Sequence, residues 1–151
     1  MKKIIFRKAT ADDMLDINKL ELDVFSVEQK IPKDIIPISQ DNNPSWWCTT
    51  IDDVIIGAVA SWYENRQVHW GRFAIRKNFR GQHIGTKLAC FSIDDLFSQD
   101  IDEIFIEARD TTVKIICRLG GMVTGKAEDF YGEPVTPVTL QKIHYHKREC
   151  L

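Results

Sequence analysis

The sequence predicts one mixed α/β domain of the α+β kind, with a mostly antiparallel sheet of about seven strands and about four helices. The 151 residues, 44% of them hydrophobic, can bury one core, so residues 1–151 are expected to form a single domain. Three runs rich in β-branched and aromatic residues follow one another between residues 46 and 75. An apolar strand then enters an amphipathic helix through a basic, glycine-containing turn, between residues 73 and 88.

The first forty residues predict a strand, a helix and an irregular connection. Residues 3–8 read as a short strand, and Thr10 is expected to cap a helix that runs to about Phe25. Residues 26–43 contain two prolines and end in a run of Gln, Asp and Asn. This stretch is either a short second helix followed by a loop or an irregular lid, and segments of this kind often form a wall of a substrate site.

The middle of the chain predicts three antiparallel strands in succession, at residues 46–51, 54–63 and 67–75. The polar interruptions at 52–53 and 64–66 are expected to be hairpin turns. Two helices and three strands should follow. In chain order they are a helix from about residue 83 to residue 98, a strand at 104–108, a helix capped by Thr111 or Thr112 and ended by Gly120, and strands at 122–130 and 135–145 around a turn at 131–134.

Composition and charge exclude several classes of protein. The net charge of −2 gives no reason to expect a nucleic-acid or membrane partner. No apolar run is long enough to span a bilayer and the start lacks a leader pattern, so we expect a cytoplasmic protein. The four cysteines form no Cys-x-x-Cys pair and no metal-like spacing, and all four are expected to be free thiols.

The turn between residues 76 and 87 has the features of an anion site. Gly81 and Gly85 allow a ligand to approach the main chain, and a helix that begins near His83 points its free N–H groups at the same place. Nearby positive charges favour a phosphate or pyrophosphate; they belong to Arg76, Lys77, Arg80 and Lys87. The alternative is an ordinary strand-to-helix connection with solvated basic residues.

The element order and this turn together resemble the GNAT superfamily of acyl-CoA N-acetyltransferases, whose motif is Gln/Arg-x-x-Gly-x-Gly/Ala. Here the motif reads Arg80-Gly81-Gln82-His83-Ile84-Gly85, with His83 where the family usually has Gly or Ala. The resemblance covers essentially the whole chain. It implies a GNAT fold whose sheet splays between strands 4 and 5, with acetyl-CoA as co-substrate in the cleft and no metal.

The resemblance also implies which residues hold the co-substrate. Backbone groups of Phe73, Ala74 and Ile75 would pair with the pantetheine arm. The motif and its N–H groups would hold the pyrophosphate; these residues are Arg80, Gly81, Gln82, His83, Ile84, Gly85 and Thr86.

A narrower similarity is to small bacterial acetyltransferases with a Val-Phe-x-x-Glu-Gln segment, which is found here at Val24 to Gln29. Proteins with this segment distantly resemble acyl-homoserine-lactone synthases, so acyl groups longer than acetyl remain an alternative.

The family transfers the acyl group directly, with one group that accepts a proton from the amine and an acid that protonates the leaving thiolate. The acid is commonly a Tyr, but Ile116 occupies that position here. Cys117 and Tyr131 are the substitutes, although a Cys on an apolar helix face is usually a small core residue. Glu28 is the first candidate for the base, against the alternative of a solvated carboxylate. Glu107 and His69 are weaker candidates for the base.

The resemblance therefore implies an N-acetyltransferase that acts on a primary amine of a small molecule or peptide. A CoA-binding regulatory module with weak or no transferase activity is the alternative, because His83 and Ile116 replace motif residues. A homodimer is left open.

Overall fold

The computed structural model describes residues 2–150 and confirms the mixed, mostly antiparallel fold. In these residues, eight strands form a sheet in the order β1-β2-β3-β4-β5-β8-β6, and β7 pairs with β8. The elements are β1 Ile4–Lys8, α1 Met14–Glu21, β2 Ser45–Ile51, β3 Val54–Glu64, β4 Gln67–Ile75, α2 Ile84–Phe97, β5 Glu103–Ala108, α3 Asp110–Arg118, β6 Met122–Val123, β7 Glu128–Phe130 and β8 Glu133–Gln141.

The three strands β2, β3 and β4 form the predicted antiparallel meander. Both hairpins turn on two residues with positive φ, Asp52 and Asp53 in the first and Asn65 and Arg66 in the second. Two-residue turns of this kind follow the right-handed twist of the flanking strands. The local turn chemistry thus explains why the bounds of these strands were predicted to within one residue.

The first helix is longer than predicted. It continues beyond α1 as a π-helical segment, Leu22–Glu28, and ends where Lys30 takes a φ of 63°. A residue in the left-handed conformation is a common way to end a helix. Single 3-10 turns at Lys33–Ile35 and Gln40–Asn42 follow. Of the two expected alternatives for residues 26–43, the irregular connection is therefore the observed one.

The C-terminal region departs from the predicted strands. The expected strand at 122–130 is two short strands, β6 and β7, and the expected strand at 135–145 ends at Gln141 in a 3-10 turn. Long-range contacts draw the chain away from the sheet here: the Tyr145 hydroxyl donates to Asp94 over 2.7 Å, and the His146 N–H donates to the Leu119 carbonyl over 2.7 Å. The predicted cap of α3 was also wrong, because Arg109 takes the N-cap position in place of either threonine.

The expectation of four free thiols was wrong for two of them. Cys90 in α2 and Cys150 near the C-terminus form a disulfide across 60 residues, whereas Cys48 and Cys117 are free. Spacing along the chain could not reveal this pair, because only the folded C-terminal segment brings Cys150 to the surface of α2.

The sheet carries a helical layer on each face. Side chains of α2 and α3 pack on one face around Trp47 and Trp70, whose ring N–H groups donate to Asp95 and Ser92 of α2 over 2.8 Å. Helix α1 packs on the other face. Within residues 2–150 no helix is long and apolar enough to cross a membrane.

Replacing Gly120 by Ala should lower the free energy of unfolding by about 3 kcal/mol or more. Gly120 has a φ of 112°, and a Cβ there would collide with the backbone carbonyl of His144. Gly132 is the matched control, because its φ is also positive, at 91°, but a Cβ there meets no atom within 4 Å. Urea denaturation of both alanine variants measures the difference. Equal losses would mean that backbone strain alone, and not the contact with the C-terminal segment, fixes Gly120.

Candidate functional site

A split in the sheet between β4 and β5 forms the centre of the site. These parallel strands make one pair within residues 2–150, His69 with Phe105, and then separate. Counting two residues further along each strand places Gly71 level with Glu107 across the split. The expected splay between strands 4 and 5 is therefore present.

A β-bulge in β4 lies at the same level. Ala74 pairs with Ala58 and Gly71 pairs with Ala60, so two residues of β4, Arg72 and Phe73, face the one residue between those partners. Arg72 has a φ of 55°, which is uncommon for a residue other than glycine. Bulges of this kind re-aim side chains and are frequent beside active sites.

The free edge of β4 offers backbone groups to a ligand. The Arg76 N–H donates to the Ile56 carbonyl of β3, and Ala74 pairs with β3 two residues earlier. Since hydrogen-bonding direction alternates along a strand, the groups of Phe73 and Ile75 point away from β3 and towards the split. The groups of Ala74 are directed to β3.

The turn from β4 to α2 leaves space above a helix N-terminus. Gly81 has a φ of 79°, and a Cβ there would meet no atom within 4 Å. His83 precedes α2 with a φ of 63° and makes no side-chain cap, so the first N–H groups of the 14-residue helix have no cap from it. A Cβ on Gly85 would lie 3.2 Å from the Phe73 ring. The turn thus combines open space, free donors and the positive end of a helix dipole.

Two of the basic residues predicted for this turn are already ion-paired. Arg76 binds Asp23 over 2.9 Å, and Arg80 binds both carboxylate oxygens of Glu28 over 2.8 and 3.0 Å. Arg80 also donates to the Ile75 carbonyl over 2.8 Å. Asp23 and Glu28 belong to the π-helical segment, so these pairs fasten that segment to the turn. Glu28 is therefore engaged at both oxygens, and its role as a base stays a prediction.

A cavity of about 210 Å³ opens at the split, beneath the irregular connection. Its walls are mostly apolar, and its polar lining comes from five side chains. The residues that line it are Phe25, Gln29, Ile31, Ile35, Ile36, Trp70, Gly71, Arg72, Phe73, Ile106, Glu107, Ala108, Arg109, Thr112, Phe130 and Val135. Concave, apolar sites with a few converging polar groups are typical of small-molecule binding.

The charged groups of the cavity are two guanidiniums and one carboxylate. Glu107 supplies the carboxylate and is exposed to the cavity and solvent. Arg109 donates to the Phe130 carbonyl over 3.1 Å and so ties the β7 hairpin to the start of α3. Arg72 donates to the carbonyls of Ile36 and Ile35 over 2.7 and 3.3 Å. Sequence reasoning missed both arginines, although an arginine inside the mostly apolar strand β4 was a usable signal.

Glu21 lies buried near Arg72, at the end of α1. Its side chain is 3% exposed, and neither carboxylate oxygen has a hydrogen-bond partner in the described residues. Burial raises the pKa of Glu21 well above its ordinary value, and the positive charge of Arg72 opposes this only in part. Burial in turn lowers the pKa of Arg72, although an arginine remains charged at neutral pH.

The remaining catalytic candidates lie at the margin of the cavity or outside it. Tyr131 is 48% exposed in the β7–β8 turn and packs edge-on against Phe130, a residue of the cavity wall. Cys117 is half-buried against the core, and Ile116 is fully buried. His69 stacks on Trp62 and does not line the cavity. The geometry therefore brings Glu107, and none of these four, into the cavity.

Comparison with known proteins gives one family match and many similar folds. Residues 12–116 match the family model described as the acetyltransferase (GNAT) family. A search of curated proteins found no match. Similar solved structures include a GNAT-family acetyltransferase from Staphylococcus aureus, with a TM-score of 0.74 and 15% identity over 92% of this chain and 99% of that one.

Two further similar structures contain CoA or acetyl-CoA. A spermidine N-acetyltransferase from Vibrio cholerae, in complex with CoA and spermine, has a TM-score of 0.69 and 16% identity over 94% of this chain and 97% of that one. The Salmonella typhimurium protein yncA, with its cofactor acetyl-CoA, has a TM-score of 0.73 and 15% identity over 92% of this chain and 94% of that one. At these identities the similarity concerns the fold.

Replacing Glu21 by Gln should stabilise the protein at pH 7, and the gain should shrink towards pH 4.5. The folded state holds the Glu21 proton more tightly than the unfolded chain does. The free energy of unfolding of the wild type therefore falls by up to about 1.4 kcal/mol per pH unit as pH rises from the ordinary to the folded-state pKa. Urea denaturation at several pH values measures the difference, with the exposed Glu133→Gln as control. A gain that does not vary with pH would contradict the buried, protonated state.

Proposed function

Because the chain belongs to the GNAT acetyltransferase family, we propose that it transfers an acetyl group from acetyl-CoA to a primary amine of a small molecule or peptide. One observation carries the proposal: the free edge of β4 leads from a helix N-terminus to a cavity that contains a single carboxylate. The first part suits a long anionic donor, and the carboxylate in the second part can bind the amine of an acceptor. The similar folds that contain CoA or acetyl-CoA support the choice of donor.

The donor would lie along the split. N–H groups between Arg80 and Thr86 would bind the pyrophosphate, where the open space at Gly81 admits it. The exposed His83 could add a donor to that site. Of the three strand residues expected to pair with the pantetheine arm, Phe73 and Ile75 direct their backbone groups to the split. The Ile75 carbonyl already accepts from Arg80, so the proposal rests on the backbone groups of Phe73 and the N–H of Ile75.

Glu107 is the group that we assign to the acceptor amine. Among residues 2–150 it is the one carboxylate that lines the cavity, and it lies level with the bulge across the split. A carboxylate here can hold the ammonium form of the amine and accept its proton before transfer. For the acid that protonates the departing thiolate, Tyr131 is favoured over Cys117, because its turn adjoins the cavity wall at Phe130, whereas Cys117 packs against the core.

A CoA-binding module with little or no transfer activity is the second candidate. It is favoured because Ile116 occupies the position where the family commonly has its tyrosine. The Ile116 side chain is fully buried in the core. Such a module would retain the donor-binding half of the site and would lack the groups that catalyse acetyl transfer.

Two measurements test the proposal. Titration calorimetry measures CoA binding, and the release of thiol from acetyl-CoA in the presence of amines measures acetyl transfer. The wild type should bind CoA and release thiol with at least one amine. Gly85→Val should weaken CoA binding at least roughly tenfold, about 1.4 kcal/mol, because even a Cβ at this position is tight against Phe73 at the open edge. A melting curve checks that the variant is folded. Unchanged CoA affinity would remove the donor assignment, and tight binding without turnover on any amine would favour the module.

Replacing Glu107 by Gln should lower kcat/KM for the amine roughly 100-fold or more while CoA affinity stays unchanged, because the proton acceptor is lost and the strand is kept. Steady-state kinetics over a range of pH measures the effect. Glu103→Gln on the same strand is the matched control, since Glu103 accepts a hydrogen bond from Gln141 away from the cavity. Equal activity of the Glu107→Gln enzyme and the wild type would exclude Glu107 from catalysis.

A further inference from the structure

Arg72 is a half-buried cation without a counter-ion. Its two hydrogen bonds go to backbone carbonyls, and it makes no ion pair within the described residues. The side chain lies over the Trp62 ring at 5.3 Å, which holds the guanidinium plane in place. Two of its five N–H groups are used, so three remain for a ligand or water. A desolvated charge of this kind is costly unless it is paired.

The neighbouring arginines show that this is a local exception. Arg76 and Arg80, four and eight residues further along, are each paired with a carboxylate of the π-helical segment. Glu21 has the largest electrostatic effect of any carboxyl group on Arg72, ahead of Glu64, but it is fully buried and has no hydrogen-bond partner in the described residues. The burial of Glu21 favours its protonated, neutral form, and Glu64 attracts Arg72 without forming an ion pair with it in the described residues, so the positive charge of Arg72 is compensated only in part.

The cavity as a whole is complementary to a ligand with at least one negative charge. Arg72 and Arg109 contribute two positive charges, and Glu107 contributes one negative charge. An acceptor with an amine alone would satisfy Glu107 and would leave both guanidiniums facing its positive charge. A carboxylate on the same acceptor removes that repulsion, and arginine binds carboxylates in a two-pronged geometry.

The apolar walls of the cavity indicate which kind of side chain the acceptor has. The irregular connection contributes Ile31, Ile35 and Ile36, and the end of the first helix contributes Phe25. The Arg72 side chain donates to two backbone carbonyls of this connection. These hydrogen bonds fix the position of the guanidinium relative to the apolar wall. An apolar side chain of the acceptor would pack here.

We propose that the acceptor is an apolar amino acid, whose carboxylate is bound by Arg72 and Arg109, whose amine is held by Glu107, and whose side chain lies against the isoleucines. This inference rests on the proposed acetyl transfer. It also predicts discrimination against polyamines, because their several positive charges would meet two guanidiniums in a partly desolvated cavity.

Binding to the CoA-loaded protein tests the acceptor class without requiring turnover. Leucine, leucinamide and spermidine differ in charge: leucine has the carboxylate, leucinamide lacks it, and spermidine has only amines. Leucine should bind at least tenfold more tightly than either of the others and should give the highest kcat/KM in thiol release. Preference for leucinamide or spermidine would overturn the acceptor class while leaving the transfer function intact. CoA binding with no turnover on any amine would instead overturn the transfer function.

Variants of Arg72 separate anchoring from a merely structural role. Arg72→Gln can still donate to the Ile36 carbonyl but has no charge, so KM for leucine should rise at least tenfold with kcat changed much less, and KM for leucinamide should not rise. The matched control is Arg66→Gln, which also removes an arginine of positive φ but lies exposed in the β3–β4 hairpin. If Arg72→Gln does not fold, the same measurements on Arg109→Gln test the assignment. Equal effects on leucine and leucinamide would overturn the assignment.

Discussion

The separation of β4 from β5 is the constraint on which the rest of the site depends. The two strands pair once, at His69 and Phe105, and the bulge at Arg72 and Phe73 lies just beyond that pair. A continuous ladder would use the backbone groups of β4 within the sheet and would close the cavity. Because the strands part, an edge that is normally hidden in the centre of a sheet is open to a ligand without exposing the sheet to aggregation at its margin.

Arginines at positions 72, 76 and 80 connect this split to the helix and connection above it. Two bind carboxylates of the π-helical segment, and the first binds carbonyls of the irregular connection. Pairs near the surface stabilise a fold by only about 1 kcal/mol or less, so their main effect is positional. They fix the π-helical segment and the connection that follows it, which together form one wall of the cavity. This explains how an irregular connection can form an ordered wall.

Local signals were sufficient for the meander, for α2 and for the glycine turn. Alternation, paired turn residues and helical periodicity act over ten residues or fewer, and they predicted the ends of β3 and β4 to within one residue. The failures depend on contacts between distant residues. The Cys90–Cys150 disulfide, the pairing of Glu28 with Arg80 across 52 residues and the departure of Tyr145 from the sheet towards Asp94 cannot be read from spacing. Arg72 was missed because its role depends on its having no ion-pair partner among the described residues, which only the folded structure shows.

One half of the proposed site consists of backbone groups and the other half of side chains. This difference determines how much the fold says about each half. The donor half consists of backbone groups at a strand edge and a helix N-terminus, and any chain with this fold presents them. The proposed acceptor half consists of side chains that line the cavity: Glu107, Arg72, Arg109 and the isoleucines of the connection. Fold similarity at about 15% identity concerns the backbone, so the proposed acceptor depends on the charges of this chain. The net charge of −2 does not describe the cavity, which is lined by two guanidiniums and one carboxylate. Under the proposal, this local excess of positive charge favours an amino acid over a polyamine as the acceptor.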